Sequence, residues 1–155
     1  MKIGFGFDAH VLVEGKALKL GGVLIPHPKG LHGHSDGDVV LHALSDAILG
    51  ACARGDIGVH FPDIDASTTG IDSREILAFC LKTALESDLR VSNIDIVLIA
   101  DEPKMNPHYE SVRESIAEQC NVPPNVVSVK SKTTEGTLVG RTAIACIAVV
   151  LMDEL

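Results

Sequence analysis

Hydrophobic and polar positions alternate over residues 2–13, KIGFGFDAHVLV, and a period of two marks a strand with one face turned inward. Gly4 and Gly6 leave gaps in that pattern, which signals close approach by another backbone or by a ligand. Residues 17–26, ALKLGGVLIP, predict a second extended pair broken at Gly21-Gly22, and Pro26 with Pro28 keeps the following segment out of regular structure. Residues 31–46, LHGHSDGDVVLHALSD, form a polar turn that runs into a helix, with Ser35 as N-cap and Asp38 completing a capping box. At 100° per residue Val40, Ala43, Leu44, Ala47, Ile48 and Ala51 share one stripe, and Asp38, His42, Ser45 and Asp46 lie opposite. His42 thus points away from the helix's own core stripe, toward either the first strand or water. Residues 50–62 read as an irregular polar segment, and residues 66–70 as a loop tip that serves as connector or lid. Helical periodicity returns at 73–87, with Ile76, Leu77, Phe79, Cys80, Thr83 and Ala84 as the apolar stripe, and again at 109–120. Strands are predicted at 91–100, 126–132 and 142–152, the last apolar on both faces. The order, βββααβαββ, predicts an α+β fold: a ferredoxin-like α/β sandwich whose mixed sheet carries helices on one side. A final strand apolar on both faces needs more cover than one helical layer supplies, which points to oligomerisation around it.

At 155 residues the chain fits one domain over its whole length. With 46% hydrophobic residues but 3% aromatics and no Trp, its core must be aliphatic. A formal charge of −8 excludes a nucleic-acid binder, which needs a basic face. It also means that any bound phosphates must be neutralised largely by cations. Cys52, Cys80, Cys120 and Cys146 stand far apart in apolar surroundings, as buried reduced thiols of a cytoplasm-like compartment do. The longest apolar run, residues 143–152, is too short to span a bilayer as a helix, and no export signal is visible at the start.

Candidate chemistry begins at Asp8-Ala9-His10. Positions i and i+2 of a strand share a face, so Asp8 and His10 offer an oxygen and a nitrogen side by side. His42 is the candidate third ligand, and three protein ligands leave one position of a zinc-like ion open to a substrate. Asp46, four residues after His42, either orients that ligand or is simply solvated. No serine-histidine-acid arrangement or activated cysteine is present.

The polar clusters FDAH, HGHSDGDVVLHALSD, GDIGVHFPD, DSREIL, ADEPKMNPH and KSKTTE follow one another along nearly the whole chain. In this order and spacing they closely resemble the 2-C-methyl-D-erythritol 2,4-cyclodiphosphate synthases of the non-mevalonate isoprenoid pathway. The resemblance implies a homotrimer with active sites between subunits, acting on 4-diphosphocytidyl-2-C-methyl-D-erythritol 2-phosphate and releasing the cyclic diphosphate and CMP. It implies Zn2+ on Asp8, His10 and His42, and a second ion, Mg2+ or Mn2+, on Glu135. His34 and Ser35 would hold the methylerythritol phosphate, with Asp56, Gly58, Phe61, Asp63 and Asp65 nearby. The cytosine pocket would comprise Ala100, Pro103, Lys104, Met105 and Asn106. Lys132, Thr133 and Thr134 would contact phosphates, and His34 and Thr133 would stabilise the transition state. Arg141 matches an arginine that contacts ligand. The chain departs from the family at Lys132, where a threonine is frequent, and in residues 136–145, a shortened segment with Leu138 in place of an aromatic residue. That departure withdraws the expectation of an isoprenoid diphosphate on the trimer axis. A zinc-dependent phosphohydrolase would use the same ligands, and a non-catalytic trimeric ligand sensor would share the fold.

Overall fold

Gly4 and Gly6 determine how the molecule is put together. A Cβ on Gly4 would stand 1.8 Å from the Ala47 carbonyl oxygen, and one on Gly6 1.9 Å from that of Ala43, so a helix rests directly on the strand backbone. In the computed structural model, which describes residues 1–62, 69–136 and 142–155, that strand is β1 (Lys2–Glu14) and that helix α1 (Val39–Ala51). Between them lie β2 (Leu18–Leu20), β3 (Val23–Ile25) and β4 (Lys29–Leu31). Gly21 and Gly22 adopt φ of 64° and 81°, the left-handed pair that a tight two-residue hairpin turn requires. The short strand β4 was not expected after the prolines. It forms because residues 29–31 lie beyond Pro28, free to pair with Leu12, Val13 and Glu14 of β1.

After α1 come α2 (Ile57–His60), α3 (Ser73–Leu85), β5 (Leu89–Ile99), α4 (Tyr109–Cys120), β6 (Val127–Lys132) and β7 (Ala143–Glu154). The main sheet runs β4-β1-β7-β5-β6, parallel only at β5–β6, where α4 makes the crossover. This is the expected mixed sheet with helices on one side: α1 packs on β1 and β7, α3 on β5, and α4 on β6.

The sequence assigned α1's N-cap to Ser35. The cap is Asp38, whose carboxylate accepts from the backbone N–H groups of Val40 and Leu41, both at 3.1 Å. The same carboxylate accepts from Gly21 and Gly22, at 2.9 and 2.6 Å, so one side chain both starts the helix and closes the hairpin against it. Burial pushes the Asp38 carboxyl upward, against the pull of those backbone donors. α1 is also buried on nearly every side, so Asp38, His42 and Ser45 of its polar stripe are buried and Asp46 is half-buried. Phe79, placed in the core by periodicity, is instead 38% exposed and lies against the Phe61 and His60 rings, because Ile76, Leu77, Cys80 and Ala84 already fill α3's inner face.

The face of the sheet away from the helices is apolar and open. Ile3, Phe5 and Phe7 are 71%, 63% and 53% exposed and pair across strands with Leu151, Val149 and Ile147. All four cysteines are free and buried, and burial pushes the Cys80 and Cys120 thiols up to about 12. Among the described residues no helix is long and apolar enough to cross a membrane.

Candidate metal centre and active-site clefts

Beyond Gly6 the side chains of β1 that face α1 are Asp8 and His10, so the strand continues under the start of the helix with ligands where it had glycines. Asp8 Oδ2 lies 2.9 Å from both His10 Nε2 and His42 Nδ1, and the two imidazole nitrogens are 3.2 Å apart. Three such donors fit one ion: ligand atoms about 2.0–2.1 Å from zinc at tetrahedral angles stand roughly 3.3 Å from one another. These three residues are also the described side chains whose donor atoms converge tightly enough to hold a metal. Burial opposes ionisation of Asp8, but the His10 and His42 imidazoles outweigh it and hold the carboxyl well below its usual range. The Asp8 carboxylate in turn raises His10, whose ring also bonds the His32 backbone.

The trio forms the floor of a cleft of about 370 Å³ lined by His32, Gly33, His34, Ser35, Ile57, Gly58, Phe61, Ile71 and Ile76. His34, Ser35, Gly58 and Phe61 are therefore brought to it as the sequence reading named them. Asp56 instead caps α2, where its carboxylate accepts from the Val59 N–H at 3.0 Å. Asp46 makes no hydrogen bond to His42; half-buried, its carboxylate accepts from the Ile57 N–H at 2.8 Å and thereby pins α2 beside the cleft. Burial raises the Asp46 carboxyl. Asp63, Asp65, Arg141, Leu138 and most of the loop read at 66–70 lie outside the described residues.

Sequence reasoning missed what stands behind His42. Its Nε2 is 2.9 Å from Ser35 Oγ and 3.0 Å from Ser73 Oγ, and the Ser73 hydroxyl donates to Asp36, which Lys19 also bridges at 3.0 Å. Ser73 and Asp36 stood in the polar clusters DSREIL and HGHSDGD, but no spacing rule links them to each other or to His42.

A second cleft is lined by Asp101, Glu102, Lys104, Thr133, Glu135 and Gly136. The Thr133 hydroxyl donates to the Glu135 carboxylate. Asp101 accepts from the Thr134 N–H at 2.8 Å and from its hydroxyl, which ties the end of β6 to the loop after β5. Three carboxylates against one lysine make this cleft acidic. The Ala100 and Met105 side chains are buried in the core, so a ligand at this loop would meet their backbone only. Pro103 follows a cis peptide, Asn106 opens a 3-10 turn, and Lys132 is exposed on the open face of β6. Residues His10 and Ile99 face adjacent positions of β7, Ile144 and Ala145, so both clefts open at the same end of the sheet. Their parent strands β1 and β6 are three strand spacings apart, roughly 14 Å. His34 and Thr133, the two residues with an expected role at the transition state, thus sit in separate clefts of one chain.

The YgbB family model matches residues 1–153. Among curated relatives, the 2-C-methyl-D-erythritol 2,4-cyclodiphosphate synthase of Marinobacter nauticus is 52% identical, the alignment covering 99% of this chain and 98% of the relative. That of Geobacter sulfurreducens is 51% identical, with 99% of each covered. A solved 2-C-methyl-D-erythritol 2,4-cyclodiphosphate synthase in its CDP-bound form superposes with a TM-score of 0.92 at 38% identity, over 98% of this chain and 100% of that one.

Proposed function

The chain belongs to the YgbB family, and on that premise we propose that it catalyses the cyclisation of 4-diphosphocytidyl-2-C-methyl-D-erythritol 2-phosphate to 2-C-methyl-D-erythritol 2,4-cyclodiphosphate and CMP, in isoprenoid precursor biosynthesis. The observation that carries the reading is the convergence of Asp8, His10 and His42 at the floor of a cleft in a chain so close to named synthases. The nucleophile is a phosphate monoester whose second pKa is about 6, ionised at neutral pH without a general base. The protein's task is to bring two repelling phosphates into line and hold them.

The residues divide that task. Asp8, His10 and His42 would hold Zn2+ with one position open to the attacked phosphate, and Glu135, beside Thr133 in the acidic cleft, would hold Mg2+ or Mn2+. The ions supply charge neutralisation for the substrate and for the departing CMP. His34 and Ser35 bind the methylerythritol phosphate, with Asp56, Gly58, Phe61, Asp63 and Asp65 around it. Thr133 stabilises the charge that develops on the transferred phosphoryl group, with Lys132 and Thr134 on the phosphates and Arg141 among the ligand-binding residues. The loop from Ala100 through Pro103, Lys104 and Met105 to Asn106 wraps cytosine chiefly with backbone groups, consistent with the buried Ala100 and Met105 side chains. The two clefts lie on different strands of one chain, and the open face of β1 and β7 is apolar. Both features support a homotrimer in which the metal cleft of one subunit meets the nucleotide cleft of its neighbour.

Phosphorus NMR of the zinc- and magnesium-loaded protein with the nucleotide-linked substrate tests this. Cyclic diphosphate plus CMP is the expected result. Inorganic phosphate would identify a phosphohydrolase, and unchanged substrate a ligand sensor.

A further inference from the structure

His42 is held from two sides, and the hydrogen atoms on its far side can be assigned from their partners. Asp36 Oδ1 accepts from the Ser73 hydroxyl and from the Asp38 N–H at 3.3 Å, while Oδ2 takes Lys19 Nζ at 3.0 Å. A carboxylate surrounded by donors has only lone pairs to offer, so the single hydroxyl hydrogen of Ser73 is committed to it. What Ser73 turns toward His42 Nε2, 3.0 Å away, is therefore an acceptor, and the imidazole must carry its hydrogen there. An ion at the point where Asp8 Oδ2 and His10 Nε2 also converge would then meet Nδ1 through its lone pair, in place of the 2.9 Å contact that Nδ1 makes with Asp8.

We propose that Ser73 and Asp36 are positioning residues that fix His42 as its Nε2–H tautomer and so make Nδ1 a preformed metal donor. This rests on the metal reading above. The arrangement spans three elements: Asp36 precedes α1, Ser73 opens α3, and Lys19 belongs to β2. Exchange of the tautomer would set the Nε2 lone pair against that of Ser73 Oγ, and a half-turn of the ring would put carbon where each nitrogen stands. The arrangement also sets Ser35, whose Oγ lies 2.9 Å from the same Nε2 and accepts from the Gly37 N–H at 3.1 Å. With Nε2 donating, the Ser35 hydroxyl hydrogen is released toward the cleft, where a phosphate oxygen can accept it. A hydrogen-bond partner of this kind typically changes metal affinity 10–100-fold.

Zinc affinity of the metal-stripped protein, measured by competition with a chromophoric chelator, tests the proposal without recourse to turnover. Ser73→Ala should weaken zinc about 10–100-fold. Ser73→Thr, which keeps the hydroxyl, should restore affinity to within about threefold of wild type by the same reasoning. Asp36→Asn is isosteric and can donate to Ser73, reversing the polarity of the chain of hydrogen bonds, and should weaken zinc as well. The decisive comparison adds Ser73→Ala to a His42→Ala background. There the second change should alter the residual affinity by less than about twofold, since no imidazole remains to position. Equal weakening in both backgrounds would make Ser73 merely structural and overturn the proposal. Unchanged affinity in folded Ser73→Ala would overturn it too, while leaving the metal site intact. Failure of the wild-type protein to bind zinc would instead overturn the metal reading itself, and this inference with it.

Discussion

At the scale of single residues, His42 shows how far helical periodicity reaches. The period put it opposite the helix's core stripe, which gave no reason to expect a stability cost on truncation. It is in fact 6% exposed, wedged between β1 and Ser73, because α1 runs through the middle of the molecule and has no solvent face at that turn. His42→Ala should therefore weaken zinc binding to a residual level, abolish turnover and also destabilise the metal-free protein by about 1–3 kcal/mol, the cost of leaving buried partners unsatisfied. Urea denaturation of stripped wild-type and variant protein measures the difference. Equal midpoints would mean the ring contributes nothing without metal. The ligand trio itself was legible because Asp8-x-His10 uses the strand's period of two and His42 lies in a motif-rich helix. Ser73 was not, because its closeness to His42 comes from the packing of α3 against α1 and leaves no periodic trace.

At the scale of elements, two features govern whether the helices seat. Gly6→Ala would push a methyl group to 1.9 Å from the Ala43 carbonyl oxygen, where neither backbone can yield cheaply. A loss of about 3 kcal/mol or more, at the upper end of overpacking, is expected in urea titrations. Gly15→Ala is the control: its φ is 78° but a Cβ there meets nothing within 4 Å, so only the roughly 1–2 kcal/mol of left-handed strain applies. Comparable costs at both sites would refute the flush packing of α1 on β1. At α3, the Arg74 guanidinium beside the capping Asp72 holds that carboxyl well below its ordinary 3.8. Its folded value is depressed, so its contribution is fully present above about pH 4 and is lost as the pH falls below that. Asp72→Ala should cost about 1 kcal/mol at pH 7, and the gap from wild type should narrow as denaturation is repeated toward pH 3. A gap independent of pH would remove the charge from the explanation. Element type was readable in the sequence almost throughout, down to the limits of α4 at Tyr109 and Cys120, since its hydrophobic period is regular. What escaped were features set by tertiary hydrogen bonds. Asp38 won the cap from Ser35 because it alone reaches both α1 and the β2–β3 turn, and Asp46 fixed the short α2 from the side.

At the scale of the whole molecule, the proposed homotrimer can be tested by mixing subunits. If each active site combines the His42 half of one subunit with the Glu135 half of the next, His42→Ala and Glu135→Ala homotrimers are both inactive. Random co-assembly in equal amounts makes three-quarters of the rings mixed, each with one intact junction of three, so roughly a quarter of wild-type activity should return. No recovery despite verified subunit exchange would place each site within one chain. The flush seat of α1 on β1 also governs how such a site can go wrong. Two residues of strand advance about 6.6–6.8 Å and four residues of helix about 6.0 Å, so Gly4 and Gly6 engage Ala47 and Ala43 like successive teeth of a rack. Slippage can occur only by a whole tooth, some three metal–ligand bond lengths. A slip of one tooth would part His42 from Asp8 and His10 altogether, so the register of α1 on β1 decides whether the three ligands meet at all.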